Sequence, residues 1–260
     1  MTWNRGEDQE KDIIAGTSHG TRHVYVAFSD DDGKSWSRPK DITSTTKQPD
    51  WTWCATGPGA GIQMEQGAHK GRLVIPCDFV EAESKRYYSY ILFSDDNGEH
   101  WRAGGRTADK VNECQAAELP DGILMLNMRN YDREKHCRQV ALSRDGGMTW
   151  EANRFDTALI EPVCQASLRR YAWPKADTPG VLLFSNPADP GKRVRMTIRA
   201  SRDDGTTWPL AKVLFDGPSA YSDLVTLPEG AIGCLYEAGK ESPYETIRFA
   251  RFGLDWLTGP

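Results

Sequence analysis

The chain has 260 residues, a formal net charge of −5, 38% hydrophobic residues and 27% charged ones, enough apolar content for one sizeable core. The acidic balance argues against a nucleic-acid partner, whose binders carry a basic patch, and no apolar run approaches the ~20 residues of a membrane-spanning helix. Nine tryptophans, 24 glycines and 15 prolines suit many short strands joined by turns.

In chain order, the first stretch, Met1-Thr-Trp-Asn-Arg-Gly-Glu-Asp8, is polar and does not read as a signal peptide. A charged loop runs from Arg5 to Asp12. A strand at Val24–Phe28 then feeds Ser29-Asp-Asp-Asp-Gly-Lys-Ser-Trp36. This unit recurs as Ser94-Asp-Asp-Asn-Gly-Glu-His-Trp101, Ser143-Arg-Asp-Gly-Gly-Met-Thr-Trp150 and Ser201-Arg-Asp-Asp-Gly-Thr-Thr-Trp208, each after its own strand-like run. The starts lie 65, 49 and 58 residues apart (29 to 94, 94 to 143, 143 to 201), a spacing that marks a repeat architecture. Serine and aspartate side chains accept hydrogen bonds from nearby backbone N–H groups, glycine supplies a positive φ, and tryptophan buries a large ring between strands. The unit is a structural signature and does not by itself name an activity.

Between the units, Gln48–Ile62 is a Gly- and Pro-rich loop leading into a strand. Asp50 and Trp51 there are candidates for a sugar pocket, with Trp51 and Trp53 as filler between blades the equal alternative. Gly71–Cys77 reads as a buried strand. Asn112–Arg129 reads as strand, Pro-Asp-Gly turn, strand, opened by Glu113 and closed by Arg129; Leu224–Glu237 repeats that build, with Tyr221 just ahead of it. The six cysteines have no C-x-x-C spacing and no histidine pattern, so no zinc site is expected and free buried thiols are. One domain of antiparallel blades, an all-β propeller over residues 1–260, is the expected fold. Glu113, Arg129, Arg193, Arg195, Tyr221 and Glu237 stand out as polar residues at strand ends.

Taken together, these features resemble the sialidase (neuraminidase) family. The resemblance rests on the four Asp-box units, on Asn112-Glu-Cys-Gln with Leu-Asn-Met-Arg129, on Arg193-Val-Arg-Met-Thr-Ile-Arg199, and on Gly217-Pro-Ser-Ala-Tyr-Ser-Asp-Leu224 followed by Cys234-Leu-Tyr-Glu237. It implies a six-bladed β-propeller and release of terminal α-linked sialic acid from glycoconjugates with retained configuration. It implies Tyr221 as nucleophile, Glu113 as the carboxylate that activates it, and Arg129 and Arg193 as two of three arginines gripping the substrate carboxylate. Arg195 competes for the third-arginine position, being two residues along the same strand and so on the same face.

The chemistry asks for these residue types. Sialic acid carries a carboxylate on its anomeric carbon, which would repel the carboxylate nucleophile usual in retaining glycosidases; a neutral phenol avoids that, and sialidases are the known exception with a tyrosine. A phenol of pKa about 10 needs a base. Arginine presents a planar fork that matches a carboxylate. Neither a metal nor any other cofactor is required.

Two parts of the family pattern find no match, an Arg-Ile-Pro arginine and an acid/base aspartate before the first Asp box. The unit at Ser29 aligns with the family's second box, so the expectation is a propeller lacking roughly its first blade, poorly soluble and nearly inactive by itself. The alternatives are a non-catalytic Asp-box propeller that binds sialylated glycans or proteins, and a trans-sialidase on the same scaffold.

Overall fold

Four times in the chain a strand ends in a turn held by one serine and one aspartate, and these turns set the architecture. The structure, a computed structural model, describes residues 1–259. In each turn the serine hydroxyl accepts the N–H of the glycine four residues on, at 2.7–2.8 Å. The aspartate accepts the N–H of the residue four on at 2.9 Å, and that residue's side chain as well. Ser35, Thr149 and Thr207 supply a hydroxyl to it; in the second unit His100 Nδ1 meets Asp96 at 2.7 Å instead. Gly33, Gly98, Gly147 and Gly205 all have φ between 79° and 94°, a region in which a side chain is strained.

The strands are antiparallel throughout. β1 (Thr2–Trp3), β2 (His23–Val26) and β3 (Lys40–Asp41) form the first sheet. β4 (Trp51–Thr56), β5 (Ile62–Gln63), β6 (Leu73–Glu81), β7 (Tyr87–Ser94) and β8 (Arg102–Ala103) form the second, and β9 (Val111–Glu118), β10 (Leu124–Asn130), β11 (Cys137–Ser143) and β12 (Arg154–Ile160) the third. A continuous path then runs through β13 (Ser167–Ala172), β14 (Val181–Pro187), β15 (Val194–Ser201), β16 (Leu210–Thr226), β17 (Ile232–Ala238) and β18 (Thr246–Phe252). The first half of β16 pairs with β15 and its second half with β17, so this path is two blades joined through one long strand. Among the described residues the blades therefore number five.

Helix is confined to short pieces. α1 (Glu10–Ala15) falls in the stretch expected to be a charged loop; Ile13 is buried and Gly16, at φ 77°, caps it by donating its N–H to Asp12 and Ile13. α2 (Thr43–Thr46) and α3 (Leu254–Thr258) are one turn each. Among the described residues no helix is long and apolar enough to cross a membrane.

The core lies between blades. Ile91, Leu124, Leu126 and Met128 pack one interface, and Leu159, Leu168, Leu182 and Phe184 another, with Trp208 beside them. Such contacts remove large apolar areas from water at roughly 25 cal/mol per Å². Inner strands are thereby held rigidly side by side. Ser143, which opens an Asp box, pairs with Leu124 at one end of β10, whereas Arg129 lies at the other end. At ~3.3 Å per residue the box and Arg129 are on opposite faces of the sheet assembly.

Candidate active site

β9 brings Glu113 to the end of the third blade opposite its Asp box, and Arg129 arrives beside it on β10, where Met128 pairs with Cys114. Arg129 Nη1 donates to Glu113 Oε2 at 2.7 Å, both side chains being only 15% exposed. Tyr221 reaches them from β16. A register shift between Ser219 and Ser222 breaks the alternation there, as bulges do where a side chain is re-aimed. Two amide clamps hold this bulge. Gln165 takes the Ser222 N–H at 2.9 Å and returns its own N–H to the Ser222 carbonyl at 2.9 Å, and the Tyr221 N–H donates to Glu237 Oε2 at 3.0 Å. The phenol oxygen then donates to Glu113 Oε1 at 2.5 Å and accepts from Arg129 Nη1 at 3.3 Å.

Burial and the adjacent Glu113 charge both raise the Tyr221 pKa above that of a free phenol, so the resting proton sits on the oxygen. For Arg129, burial works against the cation, but Glu113, with Tyr131 and Tyr221 adding to it, holds the pKa above the ordinary value. Arg129 Nε is buried without a hydrogen-bond partner. A second guanidinium, Arg193, stands 5.7 Å from the centre of the Tyr221 ring, donating to Tyr244 Oη at 2.6 Å and to the Val163 carbonyl at 3.3 Å. Behind them, fully buried Arg138 pairs with Glu161 at 2.6 Å; Glu161 takes the Asn130 N–H and Arg138 holds the Cys164 carbonyl. Unpaired buried charges are costly, so this pair ties the end of β10, next to Arg129, to the loop carrying Val163.

Three other residues singled out by sequence are not brought to this cluster. Arg195 follows Arg193 by two, but it adopts φ 64° and the β15 register shifts between Val194 and Met196, so the alternation argument fails. Its guanidinium faces Asp216 at 3.6 Å, both groups exposed. Trp51 is 8% exposed and stacks on Phe79 with centroids 3.8 Å apart; it is core, not a sugar platform. Asp50 is exposed and lies near Arg106, with its carbonyl taking the Ala82 N–H. Trp53 is instead covered by Arg22, whose guanidinium carbon is 4.0 Å from the ring centroid.

The sequence motifs single out none of Glu10, Asp78 and Tyr244, and Arg22 lies in a context unrelated to the family's first arginine. The charges of Glu113 and Arg129 are felt at Glu10, which is exposed, and at Asp78, and Arg22 bears on both as well. Only Arg193's own partner, Tyr244, carried a readable signal, an aromatic in a turn beside β18. The cleft beside Tyr221 has a volume of about 290 Å³ and is lined by Pro58, Gln165, Ser222, Tyr236 and Glu237 among others. A larger cavity, about 480 Å³, lies between the first two sheets and holds none of this chemistry; its walls include Met1, Val24, Trp36 and Trp101. All six cysteines are free and buried, and no group of three or more metal-ligating side chains occurs among the described residues.

Residues 9–234 match the BNR repeat-like domain family. The sialidase of Micromonospora viridifaciens is 39% identical over 241 residues, covering 91% of this chain and 36% of that protein. Sialidase-2 of Cricetulus griseus is 31% identical over 272 residues, covering 96% and 69%. Among solved structures, the Hadza microbial sialidase Hz136 superposes with a TM-score of 0.80 at 37% identity, covering 91% of this chain and 45% of the other. The chain thus spans about a third of the bacterial relative and less than half of that solved structure. With the repeat family matched along most of its length, and a named sialidase aligned over most of both sequences, the chain belongs to the sialidase family of BNR-repeat β-propellers.

Proposed function

We propose that the protein is a retaining exo-α-sialidase acting on terminal α-linked sialic acids of glycoconjugates, with Tyr221 as nucleophile. The observation that carries this reading is the Tyr221–Glu113 hydrogen bond of 2.5 Å with Arg129 touching both partners. A binding module has no need of a phenol poised on a carboxylate; a displacement reaction does. Relatives named sialidase or exo-alpha-sialidase point the same way.

In the first step the Tyr221 proton passes to Glu113 while the phenol oxygen bonds to the anomeric carbon and the glycosidic C–O bond breaks. The leaving oxygen takes a proton from a general acid, a role we assign to no residue of this chain. Glu113 becomes neutral as the aryl ether forms, and the negative charge passes to the leaving oxygen, where the acid's proton neutralises it, so no anionic nucleophile has to approach the substrate carboxylate. The guanidinium groups of Arg129 and Arg193 hold that carboxylate. In the second step water attacks the anomeric carbon and gives a proton to the conjugate base of the general acid, while Glu113 returns its proton to the departing phenolate, giving overall retention.

The test is the whole protein with Tyr221→Phe, assayed on a fluorogenic sialoside with the first-formed anomer followed by proton NMR. Loss of retaining turnover in a folded variant supports the assignment. Undiminished turnover with retention refutes it.

A further inference from the structure

Next to the Tyr221–Glu113–Arg129 cluster lies a carboxyl group that this mechanism does not use. Asp78, on β6, is 1% exposed. Its Oδ2 accepts a hydrogen bond from Asn112 Nδ2 at 2.9 Å, while its Oδ1 is buried with no partner. Asn112 immediately precedes Glu113 on β9. The Asn112 side-chain oxygen in turn accepts from Tyr131 Oη at 3.2 Å, and the Tyr131 ring lies 5.2 Å from the Arg129 guanidinium carbon. A chain of side chains, Asp78 to Asn112 to Tyr131, therefore runs alongside the Glu113–Arg129 pair.

An ionised carboxylate with one oxygen unpaired in a dry site costs far more than the neutral acid. The charges that bear on Asp78 are divided. Burial dominates and pushes its pKa well above the ordinary carboxyl value; Glu113 on β9 and Glu10 on α1 push the same way, while Arg129 on β10 and Arg22 ahead of β2 oppose them. Its other titratable neighbours are neutral groups: Cys54 on β4, the adjacent Cys77, Tyr87 and Tyr90 on β7, Cys114 on β9, and Tyr131. None of these offers a compensating charge.

We propose that Asp78 is a positioning residue held as the neutral acid, and that its lack of charge leaves Arg129 committed to Glu113 and Glu113 free to act as the anionic base. Two neighbouring carboxylates tend to share one proton. An ionised Asp78 would therefore raise the proton affinity of Glu113 and keep the base protonated at higher pH. The consequence for catalysis rests on the sialidase reading; the charge state of Asp78 does not.

The experiment uses the whole protein with Asp78→Asn, a neutral isostere, and Asp78→Ala. The sign follows from the raised folded-state pKa. The wild-type contribution is whole below the ordinary carboxyl value of 3.8 and is lost progressively as pH rises towards the folded-state value. Asparagine does not titrate. The melting temperature of Asp78→Asn minus that of wild type should therefore climb by several degrees between about pH 4 and about pH 8, whatever fixed packing cost the substitution carries. A difference that stays flat or falls with pH overturns the proposal, and this outcome is independent of any activity. In kinetics, Asp78→Ala leaves Asn112 Nδ2 without its partner and should lower kcat/KM roughly tenfold, and Asp78→Asn should restore it to within about threefold of wild type with the acidic limb of the pH profile in place. An acidic limb displaced to lower pH in Asp78→Asn would mean that the wild-type aspartate is charged, and would also overturn the proposal.

Discussion

The Asp-box rim and the Tyr221 end of the blades are built from the same residue types in opposite ways. On the rim, the hydrogen bonds that the serine hydroxyl and aspartate carboxylate of each box make within the turn span two to four residues, and four copies repeat nearly the same distances. At the site, the three bonds joining Glu113, Arg129 and Tyr221 span 16, 92 and 108 residues. The rim turn is a local solution that any stretch with the right spacing can reach. The site exists only once three blades are docked. Within the rim itself the contrast reappears: Trp101 and Trp208 are 7% exposed between blades, whereas Trp36, in the first sheet, is 65% exposed. The turn closes without a neighbour, but burial of its tryptophan requires one. At the other end of the arc Leu235, Ile247 and Phe249 are likewise exposed on β17 and β18.

If this contrast is right, site substitutions should cost activity and spare stability, and rim substitutions the reverse. The largest effect is expected for Glu113→Gln, which keeps shape but removes the proposed base. kcat should fall by about 10²–10⁴-fold with the melting temperature changed by only a few degrees. A fall in stability large enough to explain the lost activity would erase the distinction between the two regions.

Next comes a matched pair on the rim. Trp208→Ala removes a ring packed near Phe184, with centroids 5.7 Å apart, and an indole N–H bonded to Asp156 at 3.0 Å. It should destabilise by about 3–5 kcal/mol. Trp36→Ala, at an equivalent position in the repeat, should cost within about 0.5 kcal/mol. Denaturant titration of both reads the difference, and equal costs would show that the first sheet's tryptophan is covered in solution.

Arg129→Lys keeps the charge and loses the fork. Affinity for a sialic-acid analogue should drop by about 10–100-fold, measured calorimetrically, with little change in melting temperature. Unchanged affinity would place the carboxylate grip elsewhere.

The smallest effect concerns acid. Hydrogen bonds from Ser35 hold the Asp31 carboxyl down to about 2, and those from Thr149, acting against burial, do the same for Asp145. Folded-state values below the ordinary 3.8 mean that this stabilisation is whole above that pH and fades as pH falls towards about 2. Asp145→Asn should flatten the acid side of the stability profile slightly while leaving the neutral melting temperature lower by a few degrees. No change in acid sensitivity would mean that the rim carboxylates titrate freely.

Much of the fold was legible because the Asp box is short-range physics: serine, aspartate and glycine at set offsets satisfy one another, and the repeat spacing implies blades. Glu113, Arg129, Tyr221 and Arg193 were legible through their motifs, each carried on a strand or strand end whose pairing followed from local pattern. Where reasoning from alternation alone was used, it failed at the first irregularity. Arg195 was expected to face with Arg193, yet a positive φ and a register shift turn it to Asp216. Trp51 was readable as an aromatic in a Gly-rich loop, but its stacking on Phe79 depends on where β6 lies. Asp78 sits in a run, Leu73–Glu81, that reads simply as a buried strand, and nothing in it reports that a carboxyl there stands beside Glu113, 35 positions away. What the amino-acid sequence determined by itself are features whose partners lie within a few residues, where spacing alone sets distance. Which charges share a dry pocket, which arginine turns inward and which carboxyl must keep its proton were decided by the docking of blades, because burial and electrostatics depend on distances in space that no spacing along the chain encodes.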